Sequence, residues 1–126
     1  MQRSRRLVLL ALLGSLAGLS PVSTRLLAQD QAPSRRDIMV VAKGSAFTPA
    51  RIEVAQDDLV KITVRSDDVA HGFAIDEYRI SKRVPAGGSV TFEFRADRAG
   101  TFPFYCNLTS EGGHGEMRGQ LVVRPR

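Results

Sequence analysis

The 126-residue chain is poor in the residues that most often carry chemistry or cross-links: it has one cysteine, two histidines and three methionines, and no tryptophan. A single cysteine excludes an internal disulfide framework. Aromatic residues make up only 6% of the chain, too few for a face on which nucleic-acid bases stack. No Ser/His/Asp set suited to hydrolysis is apparent, and no glycine-rich loop follows a strand to cradle phosphates. Internal repeats, low-complexity stretches and helix-length amphipathic segments are missing as well. The apolar run Leu7–Leu19 has 13 residues, short of the ~20 that cross a bilayer as a helix.

That run follows Arg3, Arg5 and Arg6 and precedes the small residue Ala28, so residues 1–28 read as an export signal. "SRRLVL" faintly suggests a twin-arginine signal, and an uncleaved anchor is the alternative. The polar stretch "QDQAPSRR" (29–36), with Pro33, reads as a flexible tether to a domain at 37–126, which carries no membrane span. The net charge of +5 belongs mostly to the presequence: without Arg3, Arg5, Arg6 and Arg25, 14 basic residues face 13 acidic ones. A mature chain so balanced, with scattered Lys and Arg, does not call for nucleic acid as a partner. Export to the periplasm or beyond sharpens the cysteine question, because an exposed thiol there invites oxidation. Either Cys106 is buried and inert, or something occupies its sulfur, and a bound metal would do that.

From residue 37 onwards, short β-branched and aromatic runs alternate with Gly, Pro and Asp-rich turns, which predicts an all-β sandwich or barrel. Strands are expected near 37–42, 51–55, 59–65, 71–77, 89–95, 101–106 and 118–123. Alternation assigns the faces. Val60, Ile62 and Val64 oppose Lys61, Thr63 and Arg65, and Val90, Phe92 and Phe94 oppose Thr91, Glu93 and Arg95. His71 shares a face with Phe73 and Ile75, and Cys106 with Phe102 and Phe104, so both sit on core-facing sides at strand ends.

"CNLTSEGGHGEM" (106–117) gathers the only cysteine, one of the two histidines and one of the three methionines. Taken singly, each has an ordinary structural reading: Cys106 a small buried hydrophobe, His71 a hydrogen-bonded core histidine, Met117 core filler. Together, His71, Cys106, His114 and Met117 form a soft, sulfur-rich set that favours copper over magnesium, calcium or manganese. Zinc accepts Cys and His but rarely Met. Two imidazoles and a thiolate with a weak axial thioether are the arrangement of a copper electron-transfer site. Gly112, Gly113 and Gly115 flank His114 and permit a close backbone wrap.

From "FTPARIEV" through "VAHGFAID" to "FYCNLTSEGGHGEMRGQLVV", the chain resembles a cupredoxin. It is similar to the copper domains of cytochrome c oxidase subunit II and nitrous oxide reductase. The resemblance covers roughly residues 37–124 and implies a Greek-key β-sandwich or barrel of about seven to eight strands. Those domains carry a C-x₃-C-x₃-H-x₂-M loop and an upstream "H-x-F" strand. Matched by position, Cys106 takes the first Cys, His114 the His, Met117 the Met and His71 the upstream His. The second Cys position is Ser110. A hydroxyl is a poor copper bridge at neutral pH, so the two-copper centre that the resemblance would imply loses a bridging ligand. One copper ion per chain is expected, held with C-x₇-H-x₂-M spacing.

These readings lead to an exported one-electron carrier cycling Cu(II)/Cu(I), not an enzyme. Its partners would be redox proteins such as a c-type cytochrome or a terminal oxidase or reductase. The rivals are a copper carrier or chaperone that delivers metal to an oxidase or reductase, a site of open coordination that binds a small molecule such as nitric oxide, and a structural sandwich whose site has decayed. Arg79, Lys82 and Arg83 could steer an acidic partner, or protect a solvated strand edge. Asp57–Asp58 and Asp67–Asp68 read as turn residues. "NLT" (107–109) matches a glycosylation acceptor by pattern but lies inside the proposed copper loop.

Overall fold

The computed structural model describes residues 32–108 and 116–126. The expected export segment, Ser110 and His114 lie outside them. Nine strands are present: β1 (Arg35–Lys43), β2 (Ala46–Thr48), β3 (Arg51–Ala55), β4 (Leu59–Ser66), β5 (His71–Ile75), β6 (Ile80–Val84), β7 (Ser89–Arg95), β8 (Gly100–Tyr105) and β9 (Arg118–Arg124). They form a four-stranded sheet in the order β2-β1-β4-β7 and a five-stranded sheet in the order β3-β9-β8-β5-β6. This is the all-β sandwich that the alternation predicts. Among the described residues, no helix is long and apolar enough to cross a membrane.

The predicted faces are the observed ones. Val60, Ile62 and Val64 are fully buried between the sheets, while Lys61 and Arg65 face outward. Phe92 is buried and Val90 and Phe94 are partly so, with Thr91, Glu93 and Arg95 exposed. Alternation places these apolar side chains on one surface, and removal of that surface from water holds the sheets together.

Two strands go beyond the seven segments read from the sequence. β2 has only three residues, one of them buried, too few to show a period. β6 carries the polar run Ser81, Lys82, Arg83 between buried Ile80 and Val84, which hides its strand character. It lies at the end of its sheet, so its charges do protect an edge. The strand expected at 71–77 ends at Ile75 and passes into a 3-10 turn, Asp76–Tyr78, closed by Arg79 in the left-handed region at φ 56°. The turn lets Tyr78 pack against Phe94 at 4.8 Å and Phe102 at 5.8 Å between ring centroids.

Four rings fill the centre. Phe73 and Phe104 lie 5.1 Å apart, Phe47 sits 5.5 Å from each, and Phe92 lies 5.7 Å from Phe73. The Phe104 ring needs the gap left by Gly119, its partner across β8 and β9. A Cβ at Gly119 would lie 2.2 Å from the Phe104 Cζ and 2.6 Å from the Ala50 carbonyl oxygen.

Asp58, 1% exposed, ties three segments together. Its Oδ1 accepts from the Ser34 N–H at 3.0 Å and its Oδ2 from the Ala55 N–H at 3.0 Å. Its carbonyl accepts from the Ala96 N–H at 2.9 Å. Burial works against ionisation, but the Ala55 and Ser34 donors outweigh it and hold the carboxyl below its ordinary value. Both oxygens are therefore working acceptors in the folded chain.

Gly119→Ala is expected to cost about 3 kcal/mol through overpacking, measured by urea unfolding. Asp58→Asn is expected to cost about 2 kcal/mol at pH 7, because an amide must turn a donor towards one of these N–H groups. A carboxyl with a depressed folded pKa stabilises fully above its unfolded value near ~3.9 and loses that contribution as pH falls through the folded value. The gap between wild type and Asp58→Asn should therefore be full at neutral pH and close as acid titrates the group.

Candidate metal centre

β5, β8 and β9 are neighbours in one sheet, with β8 antiparallel to both of the others. The start of β5, the end of β8 and the start of β9 must then lie at one end of the sheet. Those positions hold His71, the first residue of β5; Cys106, the residue after β8; and Met117, the residue before β9. The Cys106 N–H donates to the Met117 carbonyl at 3.1 Å, closing the base of the loop between them.

All three side chains are withdrawn from water: His71 and Met117 are 0% exposed and Cys106 3%. His71 stands two residues from Phe73 and Cys106 two residues from Phe104, so the ring pair lies directly inward of the site along both strands. β5 and β8 share only one Cα pairing, Ala74 with Tyr105. Beyond it, the Gly72 N–H donates to Cys106 Sγ at 3.2 Å. The same sulfur lies 3.8 Å from the Leu108 carbonyl oxygen. A Cβ at Gly72 would sit 2.0 Å from Asn107 Oδ1 and 3.0 Å from the Asn107 nitrogen. Only glycine lets the segment carrying the sulfur come this close.

The His71 ring is held from outside the core. Its Nε2 lies 2.6 Å from Asp68 Oδ1, and the other Asp68 oxygen accepts from the Gly44 N–H at 2.7 Å. The Gly44 N–H first and the His71 ring second hold the Asp68 carboxyl far below the ordinary carboxylate range. Ser66, 1% exposed, donates its hydroxyl to the Val69 carbonyl and shapes the loop leading to His71.

The structure thus brings together His71, Cys106 and Met117; His114 and Ser110 fall outside the described residues. Among the described residues, no three His, Cys, Asp or Glu side chains converge. The donor chemistry fits a soft metal ion: a thiol sulfur, a thioether and an imidazole whose second nitrogen is engaged by a carboxylate, the usual outer partner of a ligating histidine. With Nε2 so engaged, Nδ1 is the nitrogen through which His71 would meet a metal.

Sequence reading missed two contributors. Asp68 reads as a turn residue; it lies in the bend before β5, and it also grips His71. The signal was its spacing, three residues before the histidine. In the sequence Gly72 is only part of "HGF", and nothing local marks its N–H as the donor to sulfur. In the "NLT" stretch, Asn107 Nδ2 donates to Ser81 Oγ at 2.8 Å, which binds the end of β8 to β6.

Known proteins are similar to this chain in sequence and in fold. Cytochrome c oxidase subunit 2 of Thermus thermophilus is 30% identical over 92 residues, covering 73% of this chain and 68% of that protein. Nitrous-oxide reductase of Stutzerimonas stutzeri is 27% identical over 92 residues, covering 70% of this chain but only 14% of that protein. Auracyanin A, a "blue" copper protein from Chloroflexus aurantiacus, superimposes with a TM-score of 0.60 at 20% identity, covering 71% of this chain and 99% of that one. The cupredoxin-like domain family matches residues 9–123, and with the sandwich and the pole of sulfur and imidazole described above, the chain belongs to that family.

Proposed function

We propose that the protein is an exported one-electron carrier that holds a single copper ion through His71, Cys106, His114 and Met117. The observation that carries this reading is the 3.2 Å bond from the Gly72 N–H to Cys106 Sγ. It ties the sulfur to the residue that follows His71 and supplies a fixed donor to the charge that a metal-bound thiolate carries. Hydrogen bonding at such a sulfur tunes a copper site's potential.

Copper, when bound, would supply the one-electron Cu(II)/Cu(I) couple. The chain's own contribution is rigidity and exclusion of water. Cys106 is anchored by its backbone to Met117 and by its sulfur to Gly72, His71 is clamped by Asp68, and Phe73 and Phe104 fill the space inward of the site. Packed interiors resist displacement, so ligands set on such a base keep their positions through a change of charge. The burial of His71, Cys106 and Met117 favours an electron carrier over a copper carrier. Handover of a metal proceeds by ligand exchange with an acceptor, which needs accessible ligands. Small redox partners met through transient interfaces suit this reading.

Ser110 in the second cysteine position supports one copper, because a hydroxyl does not replace a bridging thiolate. Titration of the full chain with Cu(II), followed by metal analysis, should find one copper per chain; two would overturn the mononuclear reading. Cys106→Ala should abolish the visible sulfur-to-copper absorption, and retention of colour would remove the basis of the proposal. Ser110→Cys should introduce the mixed-valence paramagnetic resonance pattern of a binuclear centre.

A further inference from the structure

His71 sits in the five-stranded sheet, whereas Gly44 lies in the turn between β1 and β2 of the four-stranded sheet. Asp68 joins them, one oxygen to each: Oδ1 to His71 Nε2 at 2.6 Å and Oδ2 to the Gly44 N–H at 2.7 Å. Gly44 lies at φ +60°, a conformation that side chains other than glycine's resist. The loop that carries Asp68 is fixed at its root by Ser66, whose hydroxyl accepts from the Asp68 N–H at 3.2 Å, and by the Asp67 N–H, which donates to the Ala42 carbonyl at 3.1 Å. The carboxylate therefore has little freedom to rotate away from the ring.

We infer that Asp68 is the positioning residue for His71: held by the Gly44 N–H, its carboxylate fixes the imidazole as the Nε2–H tautomer and leaves Nδ1 as the nitrogen that would take a metal. The metal half of this statement rests on the copper proposal; the tautomer half does not. An ionised carboxylate only accepts hydrogen bonds, so the ring nitrogen facing it must carry the proton. The other nitrogen then keeps the lone pair that ligation requires. An amide at position 68 cannot serve both partners. With its oxygen on the Gly44 N–H, its NH₂ meets Nε2 and drives the ring proton to Nδ1. With its oxygen on the ring, the NH₂ opposes the Gly44 N–H, donor to donor.

The test is the long-range proton–nitrogen correlation spectrum of the His71 ring in the metal-free full chain at neutral pH. Wild type should show the Nε2–H tautomer with a slowly exchanging, hydrogen-bonded Hε2, and Asp68→Asn should shift the ring towards Nδ1–H. In parallel, the Asp68→Asn chain should bind Cu(II) roughly tenfold to hundredfold more weakly. An Nδ1–H ring in wild type overturns the inference, whether or not the variant folds. So does an Asp68→Asn chain of lowered thermal stability whose ring nitrogen shifts and copper affinity are unchanged, the result expected of a purely structural aspartate. A wild-type chain that takes up no copper but shows the Nε2–H ring defeats the copper proposal and leaves the tautomer assignment standing.

Discussion

The contact between Phe73 and Phe104, 5.1 Å between ring centroids, is the constraint on which the site depends. The two rings come from adjacent strands of one sheet and meet the other sheet's Phe92 and the β2 residue Phe47 in a single cluster. Side chains repeat every two residues along a strand, so seating Phe73 and Phe104 in the core commits His71 and Cys106 to the same side, one step further out. Aromatic pairs of this kind contribute about 1 kcal/mol beyond the area they bury. Their larger effect is geometric, because a packed ring allows no slip of register that would carry an imidazole or a thiol to the opposite face.

Glycine makes the close approaches on which this geometry relies. Gly119 yields its side-chain space to the Phe104 ring, and Gly72 yields its own to Asn107. The second concession has a chemical result: with no side chain at Gly72, the backbone beyond β8 comes near enough for the Gly72 N–H to reach sulfur. The outermost link of the β5–β8 pairing thus becomes part of the candidate metal centre.

Two aspartates show how similar local sequence can serve different ends. Asp58 and Asp68 are each the second member of an Asp-Asp pair in a turn, and each accepts bonds through both carboxylate oxygens. Asp58 is buried and its donors are all backbone or serine groups of neighbouring segments, so its role is to knit the sandwich. Asp68 stands at the pole where β5 begins, and one of its donors is the ring of His71. What separates the two is the strand that follows: β5, with His71 as its first residue, begins three residues after Asp68.

The sequence alone determined the fold class, the faces of the long strands and the set of candidate soft donors. Alternation is a local property, and a chain with one cysteine offers one thiolate. The C-x₇-H-x₂-M spacing and the "HGF" strand likewise carry their meaning in order and distance along the chain. The short strands β2 and β6, the end of β5 at Ile75, the Gly72 donor and the Asp68 clamp were decided by tertiary structure. β2 is too short to show a period, and β6 owes its place to pairing with β5 in spite of its charges. β5 ends where Tyr78 turns back to pack on Phe94 and Phe102. Gly72 reaches Cys106, 34 residues away, only because β5 and β8 are neighbours, and Asp68 reaches Gly44 across 24 residues because β1 and β4, the strands they follow, run parallel as neighbours with Ala42 opposite Ser66. A hydrogen bond needs its partners within about 3 Å, and that proximity is set by packing, not by any pattern of neighbouring residues.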